Sequence, residues 1–213
     1  IGIGDSCILP VSGIKAWWPA NGDARDVIGG NHGQTLGAVA FTPAKVNEGF
    51  QFFGVEKVVV PDTDALDATT ELTVEGWVRL DADAVLLIAN KGSNYNIWLN
   101  GTTQFRFSSD QFGDLHGQSG LFPVGQFHHI AFTHNNGGLR YYVDGQLVRS
   151  VSASFVLQPN TDNLEIGTGY GIVDGNGFSG FTAGAGLSGG VIANGGTVSM
   201  PNVGTVGTYA KVT

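Results

Sequence analysis

The stretch QFHHIAFTHNNGGLRYYVDGQLVR, residues 126–149, decides the fold. Two runs in it alternate apolar and polar residues, 127–133 and 139–143, on either side of the polar turn 134–138. A third short run, 146–149, follows Asp144-Gly145. Alternation with a period of two is the mark of a strand with one buried face. Asp-Gly between such runs predicts a two-residue type I′ turn, because that turn needs positive φ at both central positions. The stretch therefore predicts a three-stranded antiparallel meander.

Composition agrees with an all-β chain. The 213 residues include 34 glycines, only 13% are charged, and no long helix-period segment is present. That mix suits many short strands joined by tight turns. The net charge of −8 argues against nucleic acid as a partner, since phosphates would be repelled. No run approaches the ~18 apolar residues that would predict membrane insertion. Cys7 is the only cysteine, so no internal disulfide forms.

Aromatic-His-His-aliphatic-Ala, then Tyr-x-Asp-Gly, is spelled here by Phe127, His128, His129, Ile130 and Ala131, then Tyr142, Val143, Asp144 and Gly145. With these residues the chain resembles the laminin-G-like (concanavalin A-type) jelly-roll modules of bacterial secreted proteins. The opening is similar to that family as well: Gly13, Ile14, Trp17, Trp18 and Pro19, then Gly22, Asp26, Gly29, Gly30 and Gly33 in a turn-rich loop. The likeness runs on through 38–41, 50–53, 58–61 and 72–80 to Gly177-Phe-Ser-Gly-Phe181. It implies an antiparallel jelly-roll β-sandwich over residues 8–181, behind an N-terminal arm, 1–7. Strands are expected at 14–18, 85–90, 95–99, 105–109 and 164–167 besides those already named. Trp77, Ile130, Ala131, Tyr142 and Phe181 are expected between the sheets, with Trp17 and Trp98 also in the core.

After Phe181 the resemblance stops. All 18 acids and nine of the ten basic residues precede residue 182, so the body carries a formal −9 and the Gly-rich β tail, 182–213, only Lys211. The family closes with an aliphatic-Asp-Glu-aliphatic strand at this point, and the chain has none. Its place is expected to be filled by residues 186–193, by residues 1–8, or by a strand from a partner subunit, because an open apolar edge is a liability. Residues 204–213 resemble the short β-repeats of phage tail-fibre proteins and stop mid-pattern. The tail is accordingly expected to mediate a homo-oligomer, and the sequence to be part of a longer protein.

Zinc is disfavoured: His128 and His134 share a strand face but stand ~20 Å apart at strand rise, and His129 faces the other way. Calcium takes oxygen ligands that loops supply readily. By resemblance its ligands are Asp26 with Asn21, Asp23 and the backbone of Asn31, and Asp62, Asp64 and Asp67 form a second acid cluster. The Glu-x-Asp-x-x-Glu strand of glucanases with this architecture is absent, and the chance G-x-S-x-G at 186–190 lacks the strand-turn-helix setting that gives the motif its chemistry. Carbohydrate recognition calls for aromatic platforms beside polar groups. Tyr95, Phe112, His116 and Tyr170, all in loop-rich segments, are its candidates.

The expected function is a non-catalytic binding or adhesion module, extracellular or on a virion surface, recognising a cell-surface glycan with calcium assistance. A structural subunit of a fibre or filament assembling through the tail is the alternative. A glycoside hydrolase of the same architecture is a distant third.

Overall fold

The structure, a computed structural model, describes residues 13–116, 122–135 and 137–174, with the backbone alone at 114–116, 170, 172 and 174. The arm, Phe181 and the tail lie outside the described residues.

Every strand pairs antiparallel with its neighbours. In chain order they are β1 (Gln34–Leu36), β2 (Ala40–Pro43), β3 (Glu48–Val60), β4 (Leu72–Leu80), β5 (Val85–Asn90), β6 (Asn96–Asn100) and β7 (Gln104–Ser109). They continue as β8 (Gly113–His116), β9 (Phe127–Asn135), β10 (Gly138–Val143), β11 (Gln146–Val151) and β12 (Leu164–Asp174), with one 3-10 turn at Asp64–Leu66. The predicted meander is β9-β10-β11. Asp144 and Gly145 stand at φ 48° and 77°, the left-handed pair its turn demands.

Ladder order runs β11-β10-β9-β4-β12-β5-β6-β7-β8, with β3 alongside β12 and carrying β1 and β2. Strands far apart in that order meet ring to ring. Phe107 of β7 stacks on Phe132 of β9 at 4.5 Å, and Phe105 meets Tyr141 of β10 edge-on at 5.3 Å. The ladder therefore folds over itself into two layers with the core between them. This is the jelly-roll sandwich the sequence predicted.

Two long strands make the fold-over. The start of β12 pairs with β5, at Glu165 and Gly169, while Gly171–Asp174 pairs with Leu80–Trp77 of β4. β3 follows it throughout, Val60 opposite Leu164 and Phe50 opposite Val173. Each strand thus belongs to both layers and bends between them. The bend in β12 is a bulge at Gly167–Gly169, and β3 turns at Gly54 with φ 146°. Gly169 is at φ 127°, and a Cβ there would come within 1.9 Å of the Val85 carbonyl oxygen.

Several expectations are corrected. Residues 14–18 form no ladder; the loop after them bonds their backbone instead, with the Val27 N–H donating to the Trp17 carbonyl at 2.9 Å. The runs at 50–53 and 58–61 are one bent strand, β3. The second half of β12 lies along Trp77–Leu80, and the segments expected in the closing strand's place, residues 186–193 and 1–8, fall outside the described residues. Val74, Val78, Ile130 and Phe132 point between the layers, so the alternate positions Trp77 and Ala131 lie on the opposite face with Tyr142; Ala131 and Tyr142 are buried there as expected, though not between the sheets. Trp77 there packs edge-on against His129 at 5.2 Å, under the ammonium of Lys45. The large indole in the core is Trp18, 1% exposed.

Candidate functional site

Asp26 is buried at the centre of the 19–33 loop. Its Oδ1 accepts the N–H groups of Trp17, Ile28 and Gly29 at 2.8, 2.9 and 3.0 Å. Its Oδ2 accepts those of Gly29 and Asn31 at 3.0 and 2.8 Å, and the Asn31 amide at 3.0 Å. Burial alone would raise this carboxyl, but the four backbone donors outweigh it and hold it below its ordinary value. The other sequence-derived calcium ligands are spent too. Asn21 Oδ1 accepts from Glu48 N, and Asp23 caps Arg25 N at 3.0 Å. The Asn31 carbonyl accepts the Trp18 indole N–H at 2.8 Å, and its amide oxygen accepts Thr63 Oγ1 at 2.8 Å. A cation needs oxygens, and what converges on Asp26 is N–H groups. The loop residues do not fit calcium; they anchor the first chain segment to the fold.

The second acid cluster surrounds a cation that the chain itself provides. The Lys91 ammonium, fully buried, meets Asp62 Oδ1 at 2.5 Å, Asp67 Oδ1 at 3.2 Å, the Asp162 carbonyl at 2.5 Å and Asn160 Oδ1 at 3.2 Å. This is a paired buried charge that ties three loops together. Asp64 instead opens the 3-10 turn.

Of the predicted aromatic platforms, Tyr95 is fully buried and donates to the Leu66 carbonyl at 2.9 Å. Burial and the nearby Asp67 charge push its phenol well above the ordinary value. Phe112, partly buried, stacks on Phe155 at 4.7 Å, which stacks in turn on His134 at 4.4 Å. Burial in that stack holds His134 down at about 4. Tyr170 stands opposite Phe53 in the β12–β3 ladder, and His116 opposite Arg106 in the β7–β8 ladder; nothing is described of either side chain. The four residues do not converge on one site.

What does converge lies on the outer face of β5–β8. Ile97, Leu99, Phe105 and Phe107 are fully buried in the core. Period-two alternation therefore turns Asn96, Trp98 and Asn100 outward on β6, and Gln104, Arg106 and Ser108 outward on β7. Register aligns them in rows: Asn96 with Ser108, Trp98 with Arg106, Asn100 with Gln104. The middle row continues to Leu87 on β5 and to position 116 on β8, a span of ~14 Å at the usual strand spacing. The Arg106 guanidinium lies over the Trp98 ring, 5.4 Å from its centroid, and donates to Gln104 Oε1 at 3.3 Å. Gln104 Oε1 also accepts from the Asn100 amide at 3.2 Å, whereas Asn96 Oδ1 has no donor partner among the described residues. The result is an indole between carboxamides, with one guanidinium across it. Its strand position alone suggests the core for Trp98, and the structure corrects this. Its immediate neighbours Ile97 and Leu99 were the signal that it faces outward.

With this architecture in hand, comparison with known proteins is direct. A family model for the concanavalin A-like lectin/glucanases superfamily matches residues 54–184, more than half of the chain. The chain belongs to this superfamily. Among superfamily-like solved structures, domain 4 of an extracellular GH43 arabinanase from Geobacillus stearothermophilus, in complex with arabinotriose, has a TM-score of 0.60 and 20% identity. That match covers 76% of this chain and 89% of that one. The receptor-binding domain of a mosaic serotype C/D botulinum neurotoxin has a TM-score of 0.58 at 11% identity, over 79% of this chain and 46% of that one. A Trypanosoma rangeli sialidase mutant displaying trans-sialidase activity has a TM-score of 0.54 at 16% identity, over 79% and 31%. At these identities the likeness is one of fold. No curated protein matches the chain. The superfamily's description joins lectins with glucanases, so membership carries the sandwich, and the choice between binding and cleavage rests on the face itself.

Proposed function

We propose that this domain is a non-catalytic glycan-binding module, displayed outside a cell or on a virion, whose contact surface is the outer face of β5–β8. The observation that carries the reading is Trp98, directed outward between Asn96 and Asn100 and beside Gln104 and Arg106. A sugar presents C–H groups on its ring faces and hydroxyls around its rim. An indole flanked by carboxamides answers both, because the ring covers the apolar face and the amides donate and accept at the edge. The arabinanase domain solved with arabinotriose supports the reading, since it shares this fold and is part of an extracellular enzyme.

Cleavage is disfavoured by the same surface. Glycoside hydrolysis needs two carboxyl groups placed across the scissile bond. The outward positions of β6 and β7 hold amides, a hydroxyl, an indole and a guanidinium, and the neighbouring β8 brings one acid, Asp114, opposite Ser108, a single carboxyl rather than the pair. Two nearby acids are held in structural contacts: Asp83 caps Thr102 N at 2.7 Å, and Glu165 pairs with Lys57 at 2.6 Å.

The test is a glycan array followed by calorimetric titration of the strongest binder. Trp98→Ala is expected to lower affinity at least tenfold, ~1.4 kcal/mol, while leaving circular dichroism unchanged. Equal affinity in the two proteins would overturn the assignment of this face.

A further inference from the structure

We propose that Trp98 is one end of a longer site, and that its ligand is a linear oligosaccharide held by its internal units as it crosses the strands from Trp98 to Phe53. This rests on the glycan-binding reading above and adds the class and length of the ligand.

Two strands carry more apolar residues than one buried face requires. Such a strand needs an apolar residue only at every second position. β5 opens with Val85-Leu86-Leu87-Ile88, and β3 contains Phe52-Phe53. Leu86, Ile88 and Phe52 fill the core. Val85 and Phe53 are therefore turned outward, 46% and 55% exposed, and Leu87 is turned outward beside Trp98. Core packing accounts for none of the three.

Register joins them into a strip. Leu87 pairs with Trp98 of β6. Gly169 of β12 pairs with Leu86 on one flank and with Gly54 on the other, and Tyr170 pairs with Phe53. Val85, position 170 and Phe53 thus stand in one row across β5, β12 and β3. The path from Trp98 through Leu87 and Val85 to Phe53 meets no charged residue, and Val55, 84% exposed, prolongs it past the Gly54 bend. It spans three strand spacings, ~15 Å. It also leads away from β8, where Asp114 stands opposite Ser108.

The strip is narrow where it crosses β5 and β6. Asn90 and Asn96 flank it on one side, and Asn100 and Gln104 on the other. A protein partner needs a broader apolar centre, within an interface of roughly 1,000 Å² or more. A sugar chain has C–H faces along its axis and hydroxyls to both sides, which matches an apolar line between carboxamides. One hexose adds ~5 Å to such a chain, close to one strand spacing, so the strip takes about four units. Recognition of a chain end calls for a concave pocket, whereas the outward positions of these strands form an open surface.

The experiment titrates linear arabino-, xylo-, gluco- and manno-oligosaccharides, from disaccharide to hexasaccharide, against wild type, Phe53→Ser and Trp98→Ala. Melting curves establish that both variants fold. In the series that binds, wild type is expected to hold the tetrasaccharide about tenfold or more tightly than the disaccharide, with little gain beyond it. Phe53→Ser should weaken the tetrasaccharide roughly threefold or more and leave the disaccharide within about twofold. Equal affinity of wild type for disaccharide and tetrasaccharide, or a full length-dependent gain in Phe53→Ser, overturns the proposal. Should Trp98→Ala still weaken every length in those cases, the face stands and only its extension falls. If Trp98→Ala binds as wild type does, the face itself is wrong. Binding to none of these chains overturns the proposal as well, and the glycan array then decides whether the face survives it.

Discussion

Replacing Asp26 with alanine would leave the N–H groups of Trp17, Ile28, Gly29 and Asn31 without their acceptor in a buried loop. Donors stranded in that way cost far more than one ordinary hydrogen bond, so a loss of ~2–4 kcal/mol is expected in a urea titration. Because the folded carboxyl sits below its unfolded value near 3.8, its contribution is complete above that pH. It is lost as pH falls through the lower, folded value, so the gap between wild type and Asp26→Ala should close in that acid range. Melting curves of the wild type in calcium and in chelator are expected to superimpose, and a calcium-dependent rise would show that the loop opens to a cation after all. The sequence made Asp26 legible as a key residue of the loop. It left the partner illegible, because a carboxylate serves N–H groups and metal ions alike, and only the backbone path decides which converge. Asp62 and Asp67 repeat the lesson: offered as metal-type acids by their clustering, they meet Lys91, which is remote in sequence.

At the scale of the element, the bend in β12 depends on glycine. Gly169 combines φ 127° with the Val85 carbonyl oxygen where a side chain would begin. Gly169→Ala is therefore expected to destabilise the domain by more than ~2 kcal/mol, since it adds left-handed strain to a backbone collision; a thermal melt within a degree or two of wild type would contradict this. Alternation showed where most strands lie, and Asp-Gly fixed the β10–β11 turn. Alternation alone could not show that β3 and β12 each continue through a bend, since the period is interrupted at Gly54 and at Gly167–Gly169. Nor did it tell which face is inside. Their places in alternating strands suggest the core for Trp77 and Trp98, yet Val78, Ile97 and Leu99 beside them fill it, and both indoles lie outward beneath a cation.

Across the whole molecule, sharing β3 and β12 between layers couples the two halves of the sandwich. Neither layer can separate while those strands keep their pairs, and Phe105, Phe107, Phe132 and Tyr141 lock the layers across the core. Unfolding is expected to be a single cooperative transition. Far-ultraviolet dichroism, which follows the ladders, should report the same midpoint as near-ultraviolet dichroism, which follows the packed rings. Two separated midpoints would mean that one layer melts first.

The position of β12 also bears on how the domain would carry tension. β12 is paired with β3 along its length, with β5 at its start and with β4 at its end. A pull along that strand would not peel its hydrogen bonds open one at a time, like a zip. It would load them together in shear, on both flanks, with the offset at Gly167–Gly169 acting as a notch against sliding. A strand held in this way is anchored much as a tenon is held in its joint.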